Sequence, residues 1–168
     1  MTTLKTKVPR KAASKRAKSK SNKGALRVLV ANGVNLDLLG QREPSIYGQF
    51  SLADVEAAVR KYAESEGVHV ELSFFQSNDE REFLEALTGD FDGIVINPGA
   101  WTHTSLALGD RLKALRIPYV EVHISNTLAR ESFRHQSFIS AGAVGVVIGF
   151  GMDSYRLGLE GLMRVLRR

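Results

Sequence analysis

Glu121, His123, Ser125, Asn126, Arg130 and Arg134 fall within one short stretch, EVHISNTLARESFR. A histidine trades protons near neutral pH. Two nearby arginines suit an anionic substrate, because a guanidinium is always charged and matches carboxylate geometry. Tyr119 and Val120 precede the stretch. The polar groups therefore stand where a buried strand hands over to a loop, the edge at which open α/β sheets bind ligands. Two other stretches repeat the pattern. Asn32, Asn35, Arg42 and Tyr47 follow the apolar run Leu26–Ala31, and Asn97, Pro98, Gly99 and His103 follow the run Phe91–Ile96. Each residue has an ordinary alternative. Asn and Gly are common turn residues, His103 could cap or pack, Tyr47 could anchor a loop, and Arg130 and Arg134 could line a solvated helix face. Convergence of three segments on one edge favours a site.

The elements that must position these residues follow from periodicity. Strands are expected at Leu26–Ala31, Val68–Phe75, Phe91–Ile96, Ile117–Val122 and Ala143–Ile148. Ser51 with Asp54 forms a capping-box variant that opens a helix to about Ser65, stopped by Gly67. Asn78 or Asp79 caps a helix through Leu87, and Thr102 or Thr104 opens one to about Arg116. A short helix is expected around Leu128–Phe133 and a final one over Met152–Leu166. Apolar strands alternating with helices indicate a parallel, doubly wound α/β sheet buried on both faces. Five such units suit a flavodoxin-like three-layer fold with strand order 2-1-3-4-5. In that order strands one, three and four are neighbours, so the three polar stretches share one crevice.

Charge divides the chain in two. Residues 1–24 carry nine of the 23 Lys and Arg and no acid. That leaves 14 basic against 18 acidic residues, a net −4, so the overall +5 conceals a mildly acidic domain with a basic tail. The expected division is a disordered tail over 1–24 and one flavodoxin-like catalytic domain over 25–168. The tail could bind a polyanion through its charge. It has no aromatic residues interleaved for stacking on bases, so a solvated extension is favoured and nucleic acid is not expected as a partner of the domain. The chain has no cysteine, which excludes disulfides and thiolate chemistry. No apolar run reaches about 18 residues, so no membrane span is expected. With no apolar signal segment, the expected compartment is the cytoplasm.

Other chemistries fit poorly. The glycines lack the spacing of a dinucleotide fingerprint or a phosphate loop. His103 and His123 want a third zinc ligand in a usual arrangement. Schiff-base catalysis needs a buried lysine, and outside the tail only Lys61 and Lys113 occur, both on amphipathic helices. No nucleophile elbow is present. None of these metal, cofactor or covalent chemistries is expected.

Asn32–Gly48 (NGVNLDLLGQREPSIYG), Phe74–Glu80 (FFQSNDE), Ile96–Asp110 (INPGAWTHTSLALGD) and Glu121–Ser137 (EVHISNTLARESFRHQS) together resemble the type II 3-dehydroquinate dehydratases. The likeness runs from about Leu26 to Leu166 and omits only the tail. It implies a cofactor-free lyase that dehydrates 3-dehydroquinate to 3-dehydroshikimate by anti elimination through an enolate. The pathway is shikimate biosynthesis or quinate catabolism, and the assembly a dodecamer built as a tetramer of trimers. By the resemblance, Tyr47 is the base and Arg42 favours its phenolate. Both would ride on a lid, Gly40–Gln49. His123 would protonate the leaving hydroxyl, oriented by Glu121, and Asn35 would stand near an ordered water that stabilises the enolate. Asn97, His103, Ile124, Ser125 and Arg134 match substrate-binding positions, Gly99 and Arg130 supporting ones. Asp110 matches a residue that reaches a neighbouring subunit's site. Val34, Asp37, Trp101, Gly109, Thr127 and Leu128 depart from the usual Pro, Asn, Tyr, Arg, Val and His. The non-enzymatic alternative is a catalytically silent flavodoxin-like binding or regulatory protein with a polyanion-binding tail.

Overall fold

A computed structural model describes residues 24–41, 49–67 and 69–168. The tail over 1–23, Arg42, Tyr47 and the rest of 42–48, and Val68 lie outside the described residues.

Five strands, β1 (Leu26–Asn32), β2 (Val70–Gln76), β3 (Gly93–Asn97), β4 (Tyr119–His123) and β5 (Gly145–Ile148), pair in parallel in the order β2-β1-β3-β4-β5. β3 and β4 are buried along their whole length, and β1 from Val28 onward. This is the expected state of a strand covered on both faces. Because side chains alternate across a sheet, each strand feeds two cores. Val28, Val30, Val95, Val120 and Val122 face α1 (Leu52–Ser65) and α5 (Asp153–Leu166), meeting Val55, Val59, Leu159 and Leu162. Leu29, Ala31, Ile94, Ile96 and Tyr119 face α2 (Glu80–Ala86) and α4 (Leu106–Leu115), meeting Phe83, Leu87, Leu108 and Leu112. The three-layer architecture and the strand order are those expected. α5 lies close to the sheet, since a Cβ at Gly158 would stand 2.5 Å from Val122 Cγ1.

Local chemistry sets the element ends. The Ser51 Oγ accepts from the Asp54 N–H, and the Asp54 carboxylate accepts from the Ser51 N–H at 2.8 Å, so the capping box closes in both directions. Asp79, rather than Asn78, caps α2 through the Arg81 and Glu82 amides. Two expectations change. The helix from Thr102 to Arg116 is broken: α3 (Trp101–Thr104) ends at an extended Ser105, whose Oγ accepts the Leu108 N–H and starts α4 afresh. No helix covers Leu128–Phe133. Two separate 3-10 turns, Thr127–Ala129 and Ser132–Arg134, flank an extended Arg130 and Glu131. The second strand begins at Val70 and the last at Gly145, two residues later than periodicity suggested. Among the described residues no helix is long and apolar enough to cross a membrane.

Candidate active site

The order of the sheet reverses between β1 and β3, which puts the loops after β1, β3 and β4 around one crevice. The first two loops meet backbone to backbone. The Gly33 N–H donates to the Asn97 carbonyl at 2.8 Å. A Cβ at Gly33 would stand 2.4 Å from the Pro98 oxygen, and one at Gly99 would stand 2.6 Å from the Val34 oxygen. Gly99 also has φ +62, which favours glycine a second time. Next along the first loop, Asn35 takes the left-handed conformation at φ 64. Its N–H donates to Asn78 Oδ1 at 2.7 Å, and Asn78 Nδ2 donates to Asp37 Oδ2 at 3.0 Å. Asp37 can only accept, so it turns the Asn78 amide with its oxygen toward Asn35.

Asn97 hangs from the end of β3 on the α5 side. Its Nδ2 donates to the Tyr155 hydroxyl at 2.8 Å, which donates onward to Asn32 Oδ1 at 2.6 Å. The Asn97 Oδ1 accepts from the Gly99 N–H. Burial holds the Tyr155 phenol well above its ordinary range, so the hydroxyl remains a donor.

Glu121 and His123 are two residues apart on β4 and so share a sheet face. The Glu121 carboxylate is fully buried, and His123 Nε2 lies 2.7 Å from its Oε1. Three hydroxyls also donate to it. Thr102 Oγ1 reaches Oε1 at 2.5 Å, Ser137 Oγ stands 3.1 Å from both oxygens, and Ser140 Oγ reaches Oε2. Burial alone would push this acid up. His123 and the hydroxyls outweigh it and hold Glu121 below the ordinary carboxylate value. The carboxylate is ionised and can only accept, so Nε2 carries the proton of that contact and Nδ1 is the nitrogen left for the pocket. His103, on α3, stacks its ring nearly parallel to that of His123 at 6.3 Å. Its Nδ1 donates to the Gln136 carbonyl at 2.6 Å. Burial, with the nearby charges of His123 and Arg134, lowers its pKa against the pull of that carbonyl. Neutral His103 therefore offers Nε2 as an acceptor. Arg130 and Arg134 are both drawn by Glu131, whose Oε2 lies 3.7 Å from one Nε and 2.7 Å from the other.

One pocket collects Asn35, Asn97, Gly99, His103, His123, Ile124, Ser125, Arg130 and Arg134 on its wall, with Val34, Leu36, Leu39, Ala100 and Thr127 between them. Glu121 sits behind His123 rather than on the wall. Asp110 is exposed on α4 and does not line the pocket. Arg42 and Tyr47 are outside the described residues. Sequence reasoning overlooked Thr102, Ser137 and Ser140 around Glu121, Tyr155 behind Asn97, and Asn78 beneath Asn35. One signal was available: an acid inside an apolar strand must find several donors, although the sequence does not say which.

The family model for dehydroquinase class II matches residues 26–163. The chain belongs to the class II dehydroquinase family. Among its relatives in that family is a 3-dehydroquinate dehydratase of a Synechococcus sp., 56% identical over 146 residues, which are 85% of this chain and 99% of the relative. Another, from Gloeobacter violaceus, is 51% identical over 147 residues, 86% of this chain and 91% of the relative. Crystal structures of type II dehydroquinases from Butyrivibrio crossotus and Propionibacterium acnes superpose with TM-scores of 0.77 and 0.75, each at 38% identity. They cover 83% and 86% of this chain and 98% and 99% of their own. The silent binding protein considered as an alternative finds no support among these class II dehydroquinases.

Proposed function

We propose that this chain dehydrates 3-dehydroquinate to 3-dehydroshikimate by anti elimination through an enolate. The observation that carries the reading is the Glu121–His123 pair opening onto a pocket that also holds two arginines, in a chain of this family. Tyr47, its phenolate favoured by Arg42, takes a proton from the carbon beside the ketone. The enolate is held by a water that Asn35 helps to order. Its collapse breaks the carbon–oxygen bond, and the hydroxyl leaves as water with the proton from His123 Nδ1. Glu121 stabilises the imidazolium that precedes this step and fixes the orientation of its ring. Arg134, Asn97, His103, the Ile124 backbone and Ser125 hold the substrate's carboxylate and hydroxyls, while Gly99 and Arg130 support them. Closure of Gly40–Gln49 over the pocket would exclude water and bring the base in.

The assembly we propose is a dodecamer, a tetramer of trimers. Exposed Leu106, Phe133, Phe138, Val144, Val146 and Phe150 give the protomer apolar surface to cover, and exposed Asp110 is free to serve a neighbour's site. Residues 1–24 are read as a basic extension of a catalytic domain over 25–168, and the compartment as the cytoplasm. The deciding assay follows the absorbance of the conjugated enone product from 3-dehydroquinate. Well-folded, assembled protein that gives no signal would refute the reading, as would near-normal turnover in Tyr47→Phe for the base.

A further inference from the structure

Glu121 lies on an inner strand of the sheet, in register with Ile96 on β3 and Val146 on β5. Neither neighbour is polar, so apart from His123 on its own strand the carboxylate depends on what reaches it from outside the sheet. Thr102 comes from α3, and Ser137 and Ser140 come from the segment before β5. The Phe138 N–H donates to the Thr102 carbonyl at 2.8 Å and ties the two sources together. Ser137 Oγ also accepts the Ile139 and Ser140 N–H groups, at 3.1 and 2.9 Å, so its one proton is shared between the carboxylate oxygens at 3.1 Å and Thr102 Oγ1 at 2.8 Å.

We propose that Thr102, Ser137 and Ser140 are positioning residues for the dehydration. Their hydroxyls keep the negative charge on Glu121, so that the proton of the Glu121–His123 pair resides on His123. A buried carboxylate stripped of donors takes up a proton instead. The proton of the contact would then sit on Glu121, and His123, neutral, would keep only an Nδ1–H that is far too weak an acid to protonate the leaving hydroxyl. Among the described residues, the other titratable groups around the pair are Tyr119 on β4, His103 on α3, and Arg130 and Arg134 on the loop after β4. The donors to Glu121 among the described residues are His123 and the three hydroxyls.

The inference rests on the dehydratase reading, with His123 as the acid. Turnover by the wild type and its loss in His123→Ala test that reading separately. Thr102→Val and Ser140→Ala, measured in the assembled enzyme, test the hydroxyls. Removal of one hydrogen bond to a charged group corresponds to about a tenfold or greater change. Each variant should lower kcat by about that factor with little change in KM, and should move the alkaline limb of the kcat profile to higher pH. The direction follows because a carboxylate with fewer donors binds the pair's proton more tightly. Thr102→Ser, which keeps the hydroxyl, should restore both rate and profile. If Thr102→Val and Ser140→Ala keep the wild-type kcat and pH profile, whether or not they melt earlier, the hydroxyls are merely structural and the proposal falls. Failure of Thr102→Ser to recover the profile would overturn it as well.

Discussion

Tyr155→Phe removes a single oxygen that joins two strand ends. Asn32 and Asn97 are opposite each other in the β1–β3 register, 1% and 3% exposed, and the Tyr155 hydroxyl bridges their side chains. The phenylalanine ring fills the same place, so the change isolates the hydrogen bonds. Two bonds contribute roughly 1–3 kcal/mol together, and leaving Asn32 Oδ1 and one Asn97 Nδ2 proton unpaired raises the cost to about 2–4 kcal/mol. For a chain of this size each kcal/mol lowers the melting midpoint by about 2–4 °C. The expected fall is therefore about 4–16 °C, read by circular dichroism at one fixed protomer concentration because assembly also contributes. Asn97 would lose the partner that aims it into the pocket, so KM should rise several-fold while kcat falls less. A midpoint within about 2 °C of wild type, with unchanged KM, would refute the claim that Tyr155 holds Asn97.

Further outcomes follow from the same contacts. Glu121→Gln keeps the shape but removes the charge and turns an amide N–H toward hydroxyl donors. A loss of about 2–3 kcal/mol of imidazolium stabilisation corresponds to roughly a 30- to 150-fold lower kcat, and a drop under about threefold would contradict the role of the charge. The folded-state value of Glu121 is depressed below its ordinary 4.5. Its stabilisation is thus fully present above that pH and is lost as pH falls through the depressed value. The melting gap between wild type and Glu121→Gln should be widest near neutrality and narrow below about pH 4; a gap that widens in acid would reverse the sign argued here. Asn78→Ala deprives the Asn35 N–H of its acceptor and should lower kcat/KM by about tenfold, with a melting midpoint close to wild type. Unchanged kinetics would separate Asn35 from Asn78.

The sheet was legible because its strands are apolar runs of the right length between turn signals, and a strand order with one reversal then decided which loops meet. The cap at Ser51 was equally local, with donor and acceptor only three residues apart. The break at Ser105 was not legible: Thr102, Thr104 and Ser105 are all plausible caps, and the choice depends on where Thr102 must point to reach Glu121. The stretch after β4 reads as a helix by composition. Its Arg130 and Glu131 are extended because both arginines turn toward one carboxylate and the chain must then deliver Ser137 and Ser140 to the core. Apart from His123 and Gly99, each two positions off, the side-chain partners of Glu121 and Asn97 lie 16 to 58 positions away. Periodicity has no access to contacts at such separations.

The crossing at Gly33 and Gly99 bears on any attempt to remodel this pocket. Loops grafted from another protein are usually treated as interchangeable parts, each judged by its own length and anchor points. Here the loops after β1 and β3 share a seam too narrow for any side chain at Gly33 and Gly99, so a donor loop brings its partner's geometry with it. A library that varies one of them alone should be dominated by misfolded members, and productive diversity should come from exchanging the two as a unit or from the segment after β4, which lies apart from the seam.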